Sequence, residues 1–322
     1  MKITKLDKAS RIAILDCMGA KEGESILIVT DANKRTIGLS LFDNAIALGF
    51  NAVYLEMKPG KVNGEEPPAQ IAEMMKQFDI VFCPTTTSLT HTDARRNACS
   101  NGARISTFPG ITEEVMIRGL GADYEKIAKR TIEVQKLLEK GKEIRITTKL
   151  GTDISFSIEG RKILPSTGLI RNKGEGGNLP SGETYCAPVE GTANGVFIVD
   201  GSMAGLGLVK ETKLKIEVKD GYAVKITGGA MAKKLNQMLD KVGKDARNIA
   251  EFGVGTNDTA KLSGILLEDE KVMGTIHIAL GNNKSMGGSV GVPIHLDGVV
   301  KSPTVYMDGG IIMKDGKLIG IK

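Results

Sequence analysis

The 322-residue chain has no tryptophan, only 4% aromatic residues, three histidines and four cysteines, and each shortage excludes something. Cys17, Cys83, Cys99 and Cys186 lie far apart and form no C-x-x-C pair, so neither a zinc knuckle nor a disulfide framework is expected. The net charge of +5 contains no long basic run interleaved with aromatics, which argues against nucleic acid as a partner. No segment approaches the roughly 20 apolar residues that span a bilayer. The start, M-K-I-T-K-L-D-K-A-S-R, lacks the apolar centre of a signal peptide. No membrane partner is therefore expected, and the cytoplasm is the expected location. The first strand-like run, ending at Val29, is followed by T-D-A-N-K-R-T without the glycines of a G-x-G-x-x-G turn, and no G-x-x-x-x-G-K-[ST] loop occurs. NAD and ATP are not expected as cofactors.

What the chain does have is glycine, 40 residues of it, which implies many tight turns. Up to about residue 142, apolar runs at 26–29, 52–57, 80–83 and 104–108 alternate with helical patterns, the arrangement of βαβ units on a parallel sheet. A long charged helix over 123–140 is read as the bridge between two domains. From residue 143 the texture turns to β, with hairpins predicted at 143–158 and 213–226 and one amphipathic helix over 229–242. Asp-Gly pairs begin at Asp200, Asp220, Asp297, Asp308 and Asp315. The expected fold is thus α/β plus α+β, with a Rossmann-like domain over 1–142 and a turn-rich, largely antiparallel domain over 143–322.

Chemistry concentrates in the second domain. His277 lies in the run T-I-H-I-A-L, where strand alternation puts it on the face opposite Ile276, Ile278 and Leu280. His295 and Asp297 are two residues apart and share a face of a second strand. Glu183, in G-G-N-L-P-S-G-E-T-Y-C-A-P, and Glu251, beside Gly253 and Gly255 in A-E-F-G-V-G-T-N, add two carboxylates in glycine-rich settings. Two imidazoles and three carboxylates form a borderline N/O donor set suited to Zn, Mn, Co or Fe(II). His91, in a polar stretch after a strand, reads either as a substrate contact or as a residue beside a helix cap at Thr92 or Asp93.

The segments N-L-P-S-G-E-T-Y-C-A-P, A-E-F-G-V-G-T-N, G-T-I-H-I-A-L-G-N-N and I-H-L-D resemble, in that order, the M29 family of metal-dependent aminopeptidases, the aminopeptidase T family. The resemblance implies a homodimer or larger assembly and a two-metal site of Zn, Co or Mn, with Glu183, Glu251, His277, His295 and Asp297 as ligands. It also implies removal of N-terminal residues from peptides, with Glu183 as a candidate base and Lys284 as a candidate oxyanion partner. The family's metal-site tyrosine, expected seven residues after the first histidine, is replaced by Lys284. The same superfamily contains a mononuclear iron dioxygenase that opens dihydroxypyridine rings and whose ligands resemble His277, His295 and Asp297. The alternative implied by the resemblance is therefore an Fe(II) ring-cleaving enzyme acting on a small molecule.

Overall fold

The computed structural model describes residues 3–321. The chain forms two compact units, one running to Ala128 and including Ser166–Ser181, the other made of Lys129–Pro165 and the chain from Gly182 onward. The division falls inside the helix Tyr124–Leu138. A domain boundary at 142, next to the first strand of the second unit at Glu143, stays a proposal about which part of the chain folds alone.

In the first unit a five-stranded parallel sheet runs in the order Asn51–Met57, Ser25–Asp31, Ile80–Cys83, Arg104–Thr107, Gly176–Asn178. The apolar runs supply its centre, with Ile26 through Val29 and Ile80 through Cys83 fully buried. Each large apolar side chain among them contributes about 1.5–3 kcal/mol on leaving water. The last strand had no signal in the sequence because G-E-G-G-N offers no apolar residue. It joins through its backbone, and a Cβ at Gly176 would come within 2.4 Å of Arg95 Nη1. Thr92 caps the helix Asp93–Ser100, its hydroxyl accepting from Arg95 N at 3.2 Å, and His91 beside it is exposed. Burial pushes the Cys83 thiol up to about 12, so it is an inert core residue.

The second unit holds an eight-stranded antiparallel sheet and a seven-stranded sheet that share one core. Phe156 of the first and Phe252 of the second pack with centroids 5.4 Å apart. The helix Gly229–Asp240 adds Ala232, Leu235 and Leu239 to that core. Three of the Asp-Gly pairs form two-residue hairpin turns with both residues at positive φ, namely Asp220-Gly221, Asp308-Gly309 and Asp315-Gly316. Asp297-Gly298 does not turn. It lies inside the strand His295–Lys301, where glycine is required because a Cβ at 298 would come within 2.7 Å of Val199 Cγ2. The whole is a mixed α/β fold with one parallel sheet and antiparallel sheets. Among the described residues no helix is long and apolar enough to cross a membrane.

Candidate metal centre

Four neighbouring strands of the seven-stranded sheet carry the cluster: Glu183–Cys186, Ile249–Gly255, Thr275–Gly281 and His295–Lys301, paired in that spatial order. Register places Glu183 opposite Gly255, His277 opposite Gly253, Glu251 and Asp297 on either side of Ala279, and His295 opposite Gly281. Cross-strand partners share a face, so all five predicted donors project the same way. The other face carries Phe252, Val254, Ile276, Ile278, Leu280 and Val300 into the core. Small residues between the donors are what let the side chains converge. A Cβ at Gly253 would lie 2.0 Å from His277 Nε2, so the space beside this glycine is occupied by the imidazole itself.

Glu251 sits between the two rings, Oε1 3.1 Å from His277 Nε2 and Oε2 3.1 Å from His295 Nε2. Asp297 Oδ1 is 3.3 Å from His295 Nε2, and Glu183 Oε2 is 3.5 Å from His277 Nε2. The five residues thus form two overlapping donor groups, Glu183–Glu251–His277 and Glu251–His295–Asp297, joined at Glu251. His277 is wholly buried, whereas the His295 side chain is 32% exposed and marks where the cluster opens. A cavity of about 580 Å³ in this unit lies elsewhere, against the helix Gly229–Asp240, and it is the donor chemistry that identifies the site.

The donor set contains too many acceptors for protein groups to satisfy. His295 Nδ1 lies 2.7 Å from the carbonyl of Asn282, which can only accept, so Nδ1 carries a proton and donates it. In the neutral ring that leaves a lone pair on Nε2 aimed at two carboxylates. Glu183 Oε2 and Asp297 Oδ1 are buried without any hydrogen-bond partner among the described residues. Such an array needs a cation at its centre, a proton or a metal ion. In the bare protein protons take that place. Burial disfavours a charged His277, but Glu251, Glu183 and Asp297 outweigh it and raise its pKa to about 9. His295 is likewise held well above its ordinary value, against burial, by Asp297 and Glu251. Burial would raise the Glu251 pKa, but its two imidazole contacts outweigh that and hold it below the usual carboxylate range. The residues present therefore fit a divalent metal ion.

Two charged neighbours of the cluster had not been expected. Lys271 is 2% exposed, its Nζ 2.8 Å from Glu183 Oε1 and in contact with Glu270 Oε1. Burial opposes its charge, but Glu183 and Glu270 outweigh that and hold its pKa above the ordinary lysine value. Burial pushes Glu270 up to about 7, the pull of Lys271 being offset by repulsion from Glu183 and Asp297. In the sequence, L-L-E-D-E-K-V-M-G reads as a solvated charged loop, and nothing in it marks one lysine as buried. Lys284, the lysine predicted to act, is exposed on the turn Lys284–Met286, and among the described residues no hydrogen bond or ion pair joins its ammonium to the cluster.

The loop bearing Lys284 orients His295 instead. Its Asn282 carbonyl fixes the His295 tautomer, and Glu190 ties the loop down by accepting from Asn283 Nδ2 at 2.9 Å and Ser289 N at 2.7 Å. Arg161 contacts Glu190 Oε2 and donates to the Gly287 carbonyl at 2.9 Å. Removing this support with Glu190→Ala is expected to weaken metal binding about 10–100-fold, the usual cost of losing the group that orients a ligand. Glu190→Gln, which keeps an acceptor for Ser289 N, should recover most of it. A competitive metal titration checks this, and equal affinity for wild type and Glu190→Ala would show that the loop does not act through His295.

The comparisons correct the expected family and the hydrolase reading, and they support the ring-cleaving dioxygenase given as the alternative. The family model for 2,5-dihydroxypyridine 5,6-dioxygenase matches residues 12–320. A protein of that name from Pseudomonas putida strain KT2440 is 22% identical over 246 residues, 73% of this chain and 69% of that protein. Among solved structures, the 2,5-dihydroxypyridine dioxygenase of Pseudomonas putida KT2440 superposes with a TM-score of 0.84 at 18% identity, over 99% of this chain and 98% of that one. AmpT from Thermus thermophilus superposes with a TM-score of 0.68 at 17% identity, over 98% of this chain and 99% of that one. The expected membership of the aminopeptidase T family, and with it the hydrolase, peptidase and metalloprotease readings, is overturned by the match along nearly the whole chain to a dioxygenase family. The physical reason for the misreading is that the fold is common to both neighbours. Motifs lying on its central strands report the fold before they report the reaction.

Proposed function

The chain belongs to the 2,5-dihydroxypyridine 5,6-dioxygenase family, and on that premise we propose that it is an Fe(II)-dependent dioxygenase that opens a dihydroxylated pyridine or a similar small aromatic ring. The observation that carries the reading is the convergence of two histidine Nε2 atoms, His277 and His295, on carboxylates in a mostly buried site. Two histidines and one carboxylate with open positions is the donor set of non-heme Fe(II) oxygenases. His277, His295 and Asp297 would hold the ion. When bound, Fe(II) supplies open coordination positions and the redox capacity that ring cleavage by dioxygen needs.

The remaining residues handle protons and exclude water. Glu183, tethered by Lys271, and Glu270, poised near 7, can accept the proton of a ring hydroxyl and pass it away from the reacting carbons. Glu251 keeps both imidazoles aligned. Access is from the His295 side, the open edge of the cluster, and full burial of His277 keeps bulk water from the other. A homo-oligomer remains the expected assembly.

The test is oxygen uptake by protein loaded anaerobically with Fe(II), using 2,5-dihydroxypyridine and a panel of dihydroxylated aromatic acids. Consumption of one dioxygen per ring is expected, with both atoms of labelled dioxygen found in the product. A flat trace across the panel from fully iron-loaded protein would sink the reading.

A further inference from the structure

We propose that the Tyr185 hydroxyl binds the ring substrate directly, donating a hydrogen bond to the ring oxygen whose proton a carboxylate of the cluster takes up. This rests on the ring-cleaving reading above and deepens it.

Tyr185 belongs to the metal-centre face of the seven-stranded sheet. It follows Glu183 by two residues in the strand Glu183–Cys186, so both side chains project the same way. Its cross-strand partner is Gly253, the residue that also pairs with His277. Cβ positions on neighbouring strands stand about 4.5–5.5 Å apart. At Gly253 that position is taken by His277, whose Nε2 lies 2.0 Å from where the Cβ would be. The coordinating nitrogen therefore stands beside Tyr185 and not a further strand away. A phenol is long enough to span the gap to a molecule bound next to the metal.

Core packing does not account for this side chain. Thr184 and Cys186 are buried on the opposite face, and Cys186 belongs to the hydrophobic core, whereas Tyr185 is only partly buried and stands outside that core. Internal hydrogen bonding does not account for it either. Tyr124 spends its hydroxyl on the Gly119 carbonyl and on Ser181 N, at 3.2 and 3.1 Å, and Tyr54 donates to Glu56 at 2.8 Å. Among the described residues the Tyr185 hydroxyl has no such partner. It is also not among the buried polar atoms left unpaired, so a ligand can reach it.

The chemistry of the face selects this donor. A ring hydroxyl that gives its proton to Glu183 or Glu270 leaves an anionic oxygen beside carboxylates, and that oxygen needs a hydrogen-bond donor. The other donors around it are engaged. Lys271 is held by Glu183 and Glu270, Lys301 by Asp200, Thr275 Oγ1 by the Val272 carbonyl at 2.9 Å, and His295 Nδ1 by the Asn282 carbonyl. His277 Nδ1 is unpaired but sealed inside the protein. Tyr185 is left, and being uncharged it can hold the oxygen without drawing the carboxylates away from the metal. Burial and the charges of Glu183 and Glu251 hold its pKa above the ordinary tyrosine value, so it keeps a proton to donate.

The experiment is an anaerobic binding titration of iron-loaded protein with 2,5-dihydroxypyridine, 2-hydroxypyridine and 3-hydroxypyridine, for wild type and Tyr185→Phe. The variant removes an oxygen that no protein group uses, so it is expected to keep its iron and the wild-type melting temperature. Its affinity for 2,5-dihydroxypyridine is expected to fall about 10–100-fold, the cost of a hydrogen bond to a charged group. The loss should recur with only one of the two monohydroxypyridines, the one that keeps the contacted oxygen. An equal loss for all three rings, or none for any, would overturn the inference. So would a fall in iron content or melting temperature, which would make Tyr185 a support of the site. Wild-type protein that holds iron and binds none of the three rings would overturn the ring-cleaving reading, and this inference with it.

Discussion

Gly253→Ala is expected to yield a protein that binds almost no metal and is less stable by about 1–3 kcal/mol, the usual range for overfilling a packed interior. The added Cβ would stand 2.0 Å from His277 Nε2 and 2.2 Å from its Cε1. His277 has no exposed surface, so its ring has nowhere to turn. The backbone conformation at 253 is one that alanine adopts without strain, since it is not among the positive-φ positions. The cost therefore comes from the imidazole alone. The double variant Gly253→Ala/His277→Ala should recover stability without recovering metal. Thermal denaturation with elemental analysis checks both parts, and a Gly253→Ala protein with wild-type metal content would refute the packing argument.

Asp297→Ala and Glu183→Gln should separate holding the metal from moving protons. Asp297 Oδ1 faces His295 Nε2 at 3.3 Å, and that nitrogen keeps Glu251 Oε2 at 3.1 Å, so truncating the side chain orphans no donor there and the fold should survive. Iron is expected to fall below stoichiometric levels and ring cleavage to be lost with it. Glu183→Gln keeps the size of the side chain, and Lys271 keeps Glu270 as its partner. That variant is expected to retain one iron while turnover falls about 10²–10⁴-fold, the typical loss on removing a positioned acid–base group. The measurement is iron content beside oxygen uptake for the same preparations. Retention of iron by Asp297→Ala, or its loss from Glu183→Gln, would reverse the two roles.

Much of the molecule could be read from periodicity. The runs at 26–29 and 80–83 read as strands because their apolar residues run without a break at the spacing of βαβ units, and burial of those residues is what stabilises the sheet. Alternation also determined that His295 and Asp297 share a face, and that His277 lies opposite Ile276 and Ile278, since both come from a two-residue repeat within one strand. The Asp-Gly pairs announced three hairpin turns, because only residues tolerant of positive φ fit them.

The part that stayed hidden depends on which strand lies beside which. No local pattern reveals that Glu183 and Gly255 are partners, or that Ala279 separates Glu251 from Asp297; registers decide this. Asp297-Gly298 has the same two letters as the turns yet sits mid-strand, because contact with Val199 demands glycine there. Lys271 was invisible for the same reason. A lysine in a charged loop is normally solvated, and only the approach of that loop to Gly255 buries it against Glu183. The residue types thus set the donor chemistry, two imidazoles and several carboxylates. Tertiary structure decided which of them meet, and which positive charge stands beside them, because those contacts are made across strands far apart in the chain.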